Sequence, residues 1–185
     1  MRGITQVIAG ILVLFVSACA TQPPVESDVY GREAAESYLN QGVDHAQQGE
    51  YRRAIDHYTK ALEADPGFIV AYLNRGFAFS KLGEYDKAIG DYNRAIEIYP
   101  RYAIAYNNRG YAYRRKGELD RAISDYDKAV ELDPKYAAAY YNRGNLYYYR
   151  KEYGRALEDI QKAKSLGYPV SSEFLKALLE ASTTQ

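Results

Sequence analysis

One 34-residue pattern runs through this chain four times, and nothing else in the sequence restricts the fold so tightly. Tyr38, Tyr72, Tyr106 and Tyr140 stand one period apart, as do Asn40, Asn74, Asn108 and Asn142. The same register holds Gly42, Gly76, Gly110 and Gly144, then Ala54, Ala88, Ala122 and Ala156, then Ala61, Ala95, Ala129 and Ala163. Pro66, Pro100 and Pro134 close the first three units, and Pro169 comes one residue late in the fourth. Self-similarity at this period predicts a stacked array of one supersecondary unit. Such arrays offer extended surfaces to partners.

The stretch from Ile69 to Tyr102 shows what is repeated. Tyr72, Arg75, Gly76 and Phe79 fall at i, i+3, i+4 and i+7, one face of a helix. Leu82-Gly83-Glu84 interrupts it with a glycine stop. Ala88, Ile89, Tyr92, Ala95 and Ile96 then trace the apolar face of a second helix. Pro100 cannot continue that helix, because its ring clashes with the preceding turn. Gly76, Ala88 and Ala95 let the two backbones approach, and Tyr72, Phe79 and Tyr92 fill the space around them.

An aromatic opening the first helix, a glycine four residues on, alanines and an aromatic on the second helix, and a closing proline resemble the tetratricopeptide repeat family. The resemblance spans residues 35–170. It implies an all-α solenoid of four helix-turn-helix repeats at 35–68, 69–102, 103–136 and 137–170. It also implies a right-handed superhelix whose first helices line a concave groove. The fourth unit departs from the pattern, with Lys151 at the turn glycine and Lys164 at an aliphatic position. After Pro169, Ser171 or Ser172 can cap one further helix, 171–182. Its Phe174, Leu175, Leu178 and Leu179 are expected to cover the last unit as a capping helix.

The first 18 residues read as a targeting segment. Arg2 precedes an apolar run, Val7 to Val16, too short to span a bilayer. The run ends in Val16-Ser17-Ala18-Cys19, which resembles the bacterial lipobox. That resemblance implies lipidation of Cys19 and, with Ala20 following it, an outer-membrane anchor facing the periplasm. Ala18-Cys19-Ala20 also satisfies ordinary signal cleavage, which would release a soluble protein. Cys19 is the one cysteine in the chain, so no internal disulfide can form. Residues 19–34, with Pro23-Pro24, read as a lipidated tether.

Helical geometry, at about 100° per residue, turns Val70, Asn74, Phe77 and Lys81 away from the Tyr72–Gly76–Phe79 face and toward the groove. The resulting columns are Glu36, Val70, Ile104 and Ala138; the four asparagines; Val43, Phe77, Tyr111 and Asn145; and Gln47, Lys81, Arg115 and Tyr149. Candidate partner contacts are therefore Asn40, Asn74, Asn108, Asn142, Phe77, Tyr111, Lys81 and Arg115. Asparagine is a poor helix former, so four at one register want a reason. Each offers two donors and an acceptor, which suits an extended peptide backbone. The column resembles the asparagine ladder of the O-GlcNAc transferase repeats. The same side chains equally suit bonds between neighbouring helices. The peptide clamp of chaperone-binding repeats needs lysines where this chain has Leu39 and Leu73.

Arg75, Arg109 and Arg143 sit at the core edge, and Asp91, Asp125 and Asp159 follow 16 residues on. In unit one both change together, to Gln41 and His57. That joint change predicts an Arg–Asp pair within each later unit. The only histidines are His45 and His57, and His45 reads as a packed side chain at an aromatic register. No phosphate loop, nucleophile elbow or HExxH appears, so no catalytic residue, metal or cofactor is expected. Glu50, Glu84, Glu118 and Glu152 recur at the turns, as solvent or capping groups. Twenty-four Lys and Arg balance 24 Asp and Glu, which gives no footprint for nucleic acid. The expected partner is a protein or extended peptide, with the membrane reached through the lipid. A pilotin-like assembly factor for a secretin or pilus, and a non-catalytic regulator of a cell-wall hydrolase, are the alternatives.

Overall fold

The computed structural model describes residues 26–183. Among them nine helices run in sequence: α1 Glu26–Gln47, α2 Tyr51–Ala64, α3 Ile69–Lys81, α4 Tyr85–Ile98, α5 Ala103–Lys116, α6 Leu119–Leu132, α7 Ala137–Tyr149, α8 Tyr153–Ser165 and α9 Ser172–Thr183. Each helix packs on its sequence neighbours, and α3 also touches α1 and α5. The result is an all-α solenoid of paired helices. One expectation changes at the front end. The tether placed over 19–34 is helical from Glu26 onward, as an unbroken extension of α1. Arg32 fixes this extension: its guanidinium lies 4.4 Å from the Phe68 ring and donates to Asp65 at 2.8 Å. Cys19 and the targeting segment lie outside the described residues.

The turn inside each unit is a Schellman closure. Backbone N–H groups of Glu50, Glu84, Glu118 and Glu152 reach back to the carbonyls of His45, Phe79, Tyr113 and Tyr147, each at 2.9 Å. Such a turn needs one residue in the left-handed region. Gly49, Gly83 and Gly117 provide it at φ of 78°, 78° and 84°, and Lys151 is forced to 62°. A Cβ there costs roughly 1–2 kcal/mol, partly offset by the greater chain entropy of glycine. Lys151→Gly should therefore stabilise the fourth unit by about 0.5–1 kcal/mol, read as a higher urea midpoint. An unchanged or lower midpoint would show that the turn carries no strain. The turn glutamates form no side-chain cap. They pair instead with cations, Glu50 with Arg53, Glu84 with Lys87, Glu118 with Arg121 and Glu152 with Arg155.

Glycine also decides how closely the paired helices meet. A Cβ at Gly42, Gly76 or Gly110 would stand 2.4, 2.7 or 2.9 Å from the ring of Tyr58, Tyr92 or Tyr126. Those three rings are among the largest fully buried side chains. Burial pushes the Tyr58 and Tyr92 hydroxyls up to about 12. In unit four Ile160 takes the tyrosine's place beneath Gly144.

The arginine pairs form, and they reach further than the sequence suggests. Arg75, Arg109 and Arg143 each grip the aspartate of their own unit bidentately, at 2.7–2.9 Å. The remaining nitrogen, Nη1, donates backward to Thr59, Asn93 or Asp127 on the second helix of the preceding unit. One side chain thus ties two units together. Burial pushes Asp91 and Asp159 above the usual carboxylate range while the guanidinium pulls them down. Desolvation of these two carboxylates thus opposes the gain from their guanidinium bonds.

Both ends are finished by polar or capping residues. Ser37 and Asp44 are exposed where later units bury Ala71, Ala105 and Ala139, and Ala78, Ala112 and Leu146. Unit one therefore turns a solvated face outward. At the far end Ser171 Oγ accepts from the Phe174 N–H and starts α9. Leu178 is fully buried against Ala156 and Ile160, with Phe174 and Leu175 beside it. Leu179 departs from expectation: it is 41% exposed and lies off the covering face.

Unit one replaces the arginine pair with a histidine stack. The His45 and His57 rings lie 5.0 Å apart, and His45 Nδ1 is 2.7 Å from Glu50. Burial, then His45 and Lys60, depresses the His57 pKa, and Asp56 opposes them. Tyr38 faces His57 from α1. A base with a depressed folded pKa is held neutral in the fold. Stability is then complete above the unfolded value, about 6.5, and declines as pH falls below it. The urea midpoint should drop between pH 7.5 and 5.5, and His57→Leu should flatten that drop. An equal slope in the variant would place the acid sensitivity elsewhere.

Candidate partner-binding groove

A cavity of about 290 Å³ opens between the first helices of units two, three and four. Phe77, Ser80 and Lys81 of α3, Tyr92 of α4, Asn107, Asn108 and Tyr111 of α5 and Asn142 of α7 line it. Five of the eight sequence-named contact residues thus meet at one place: Phe77, Lys81, Asn108, Tyr111 and Asn142. The others do not line it. Asn40 is exposed on α1, and Asn74 is half-buried on α3. Among the described residues neither side chain has a hydrogen-bond partner. Arg115 stands just outside and donates to the Tyr111 hydroxyl at 3.1 Å.

The asparagines form a network. Asn142 Nδ2 donates to Asn107 Oδ1 at 2.9 Å, and Asn107 Nδ2 donates to Asn108 Oδ1 at 3.3 Å and to the Tyr136 hydroxyl at 3.2 Å. Neighbouring helices therefore claim part of the column, as one of the two sequence readings held. What remains free is defined. Among the described residues Asn108 keeps both amide hydrogens, and Asn142 keeps its oxygen and one hydrogen. That set matches one peptide unit, which needs a donor for its carbonyl and an acceptor for its N–H.

Asn107 lies outside the sequence-named columns, yet it centres the network at 6% exposure. Its signal in the sequence is a break in a column, since Leu39, Leu73 and Tyr141 hold that register elsewhere. Leu73, at the same register in unit two, is buried. Phe77, which lines the cavity, is 46% exposed, and Val70 and Ile104, four residues before Asn74 and Asn108, are 41% and 40% exposed. Among the described residues no group of three or more His, Cys, Asp or Glu is placed to hold a metal ion.

Paired helices with a glycine-and-alanine seam, stacked about an amide-lined groove, define a helical repeat protein. Comparison with protein families matches the tetratricopeptide repeat at residues 35–68, 69–102 and 91–124, and the TPR repeat at 110–150. The chain belongs to the tetratricopeptide repeat family. Similar solved structures include the first TPR of Spaghetti (RPAP3) bound to the HSP90 peptide SRMEEVD. It shares 31% identity over 64% of this chain and 94% of that one, with a TM-score of 0.62. A crystal structure of MamA shares 30% identity over 71% of this chain and 77% of that one, at 0.66. The first TPR domain of human RPAP3, solved by NMR, shares 30% over 72% and 98%, at 0.61. A search of curated proteins returns no match.

Proposed function

We propose that this protein is a lipid-anchored adaptor that holds an extended segment of a partner protein in its groove, at the periplasmic face of the outer membrane. The free amide groups of Asn108 and Asn142, facing a cavity rimmed by exposed Phe77, carry the reading. The similar Spaghetti domain, described in complex with a peptide, supports it. Polar groups that satisfy a peptide backbone, beside apolar anchors, are what recognition of an extended chain requires. No catalytic step is assigned to the groove.

The lipobox-like Val16-Ser17-Ala18-Cys19 supports the anchor. Only six residues, seven backbone steps, separate Cys19 from the start of α1. Fully extended, they reach at most about 25 Å, so the repeats stay close to the membrane. Among the described residues no helix is long and apolar enough to cross a membrane.

Two measurements test the proposal. Crosslinking pull-down from membranes with the wild type and with Asn74→Ala/Asn108→Ala/Asn142→Ala should recover a partner with the first and lose it with the second. An unchanged partner set would remove the groove from the account. Labelled palmitate should enter the wild-type chain and not Cys19→Ser, which should fractionate as soluble. Soluble wild-type protein would remove the anchor.

A further inference from the structure

Resting on the groove reading above, we infer that the partner segment carries an internal Asp or Glu side chain beside a bulky apolar one, and that Lys81, Arg114 and Arg115 receive the carboxylate. These three cations have no carboxylate partner among the described residues. Cations around them do: Lys116 holds Asp86 and Glu118, Arg121 holds Glu118, and Lys87 holds Glu84. Aromatic faces position the three instead. Lys81 Nζ lies 5.0 Å from the Phe77 ring, and the Arg114 guanidinium lies 5.6 Å from Tyr111. Arg115 sits 5.3 Å from Tyr85 and bonds the Tyr111 hydroxyl. Phe77, Lys81 and Tyr111 all line the cavity.

A cation in the last turn of a helix is favoured by the backbone dipole. That does not account for this cluster, because Gln47 and Tyr149 hold the Lys81/Arg115 register in units one and four. Lys81 lines the cavity, and Arg114 and Arg115 lie against Tyr111, which also lines it. A partner carboxylate would meet fixed guanidinium and ammonium donors and form short charge-assisted bonds. Phe77, nearly half exposed next to Lys81, gives the neighbouring apolar side chain its contact. The amide floor argues for a carboxylate within the chain rather than at its end. Asn142 presents a free acceptor oxygen, which suits a backbone N–H and repels a terminal carboxylate.

The test is a display selection on the full chain, using random dodecapeptides embedded in a carrier so that no peptide terminus is free. The wild type should enrich Asp or Glu within a few positions of an aromatic or leucine. Lys81→Glu/Arg115→Glu should bind those peptides about tenfold or more weakly, the loss expected for one charge-assisted contact, and should select Lys or Arg in their place. Synthetic copies with amidated ends should bind like the displayed ones. Peptides that depend on Phe77 and Asn108 but show no acidic preference would overturn the inference and leave the groove reading standing. So would acidic peptides that bind the reversed variant equally, or only with a free terminal carboxylate. If no selected peptide is weakened by Phe77→Ala/Asn108→Ala, the groove reading itself fails and the inference falls with it.

Discussion

Asp125→Ala should cost about 3–5 kcal/mol of unfolding free energy, the range seen when one partner of a buried ion pair is removed. Arg109 would keep its place at the core edge, 19% exposed, having lost two of its three acceptors. Only Asn93 on α4 would remain to it, at 2.6 Å. The cost comes from stranding a desolvated guanidinium, so removing it too should restore most of the loss. Arg109→Leu/Asp125→Ala is expected to lie within about 1–2 kcal/mol of the wild type, since an apolar replacement of a buried pair is often near neutral. Unit one already folds without the pair, with Gln41 bonding only Ser37 among the described residues. Additive losses across the four members of this cycle would show that the two side chains are not coupled.

Gly76→Ala should destabilise by about 1–3 kcal/mol through overpacking, even though alanine favours the helix itself by nearly 1 kcal/mol. The added methyl would meet Tyr92 at 2.7 Å from Cε1, 3.0 Å from Cζ and 3.1 Å from Cδ1. That ring is 1% exposed and has nowhere to go without moving α4 away from α3. Gly90, on the exposed side of α4, gives the opposite control, because nothing lies within 4 Å of a Cβ there. Gly90→Ala should stabilise by up to about 1 kcal/mol. Chemical denaturation of both variants measures the pair. Equal signs would mean that close helix approach does not set the glycine at the Gly76 register.

The fold was largely legible because every determinant repeats. A glycine at the turn, a glycine under a tyrosine and a proline after the second helix each occur three or four times, so chance similarity averages out. The Arg–Asp pairs were legible through their joint loss in unit one. Their second arm, to Thr59, Asn93 and Asp127, was not, because three unlike acceptors share the register and leave no pattern. The helical start at Glu26 was hidden too. It precedes the first repeat, and it is held by Arg32 contacts with Asp65 and Phe68 that no local signal announces.

At the groove, periodicity placed the face but could not say which asparagines pair with one another. Asn142 bonds Asn107 across two units, while Asn40 and Asn74 stay unpaired among the described residues. That outcome depends on the single exchange of leucine for asparagine at Asn107, a non-repeating feature in a chain read by its repeats.

Everything functional depends on the wall of first helices being the face that holds the partner. Site-specific photocrosslinking in membranes tests this most directly, with the probe placed at Asn108 or Phe77 in one set and at Arg94 or Arg121, exposed on second helices, in another. The account predicts a shared adduct from Asn108 and Phe77 and none from the other two. Adducts confined to Arg94 and Arg121 would contradict it, because the partner would then lie on the opposite side of the solenoid.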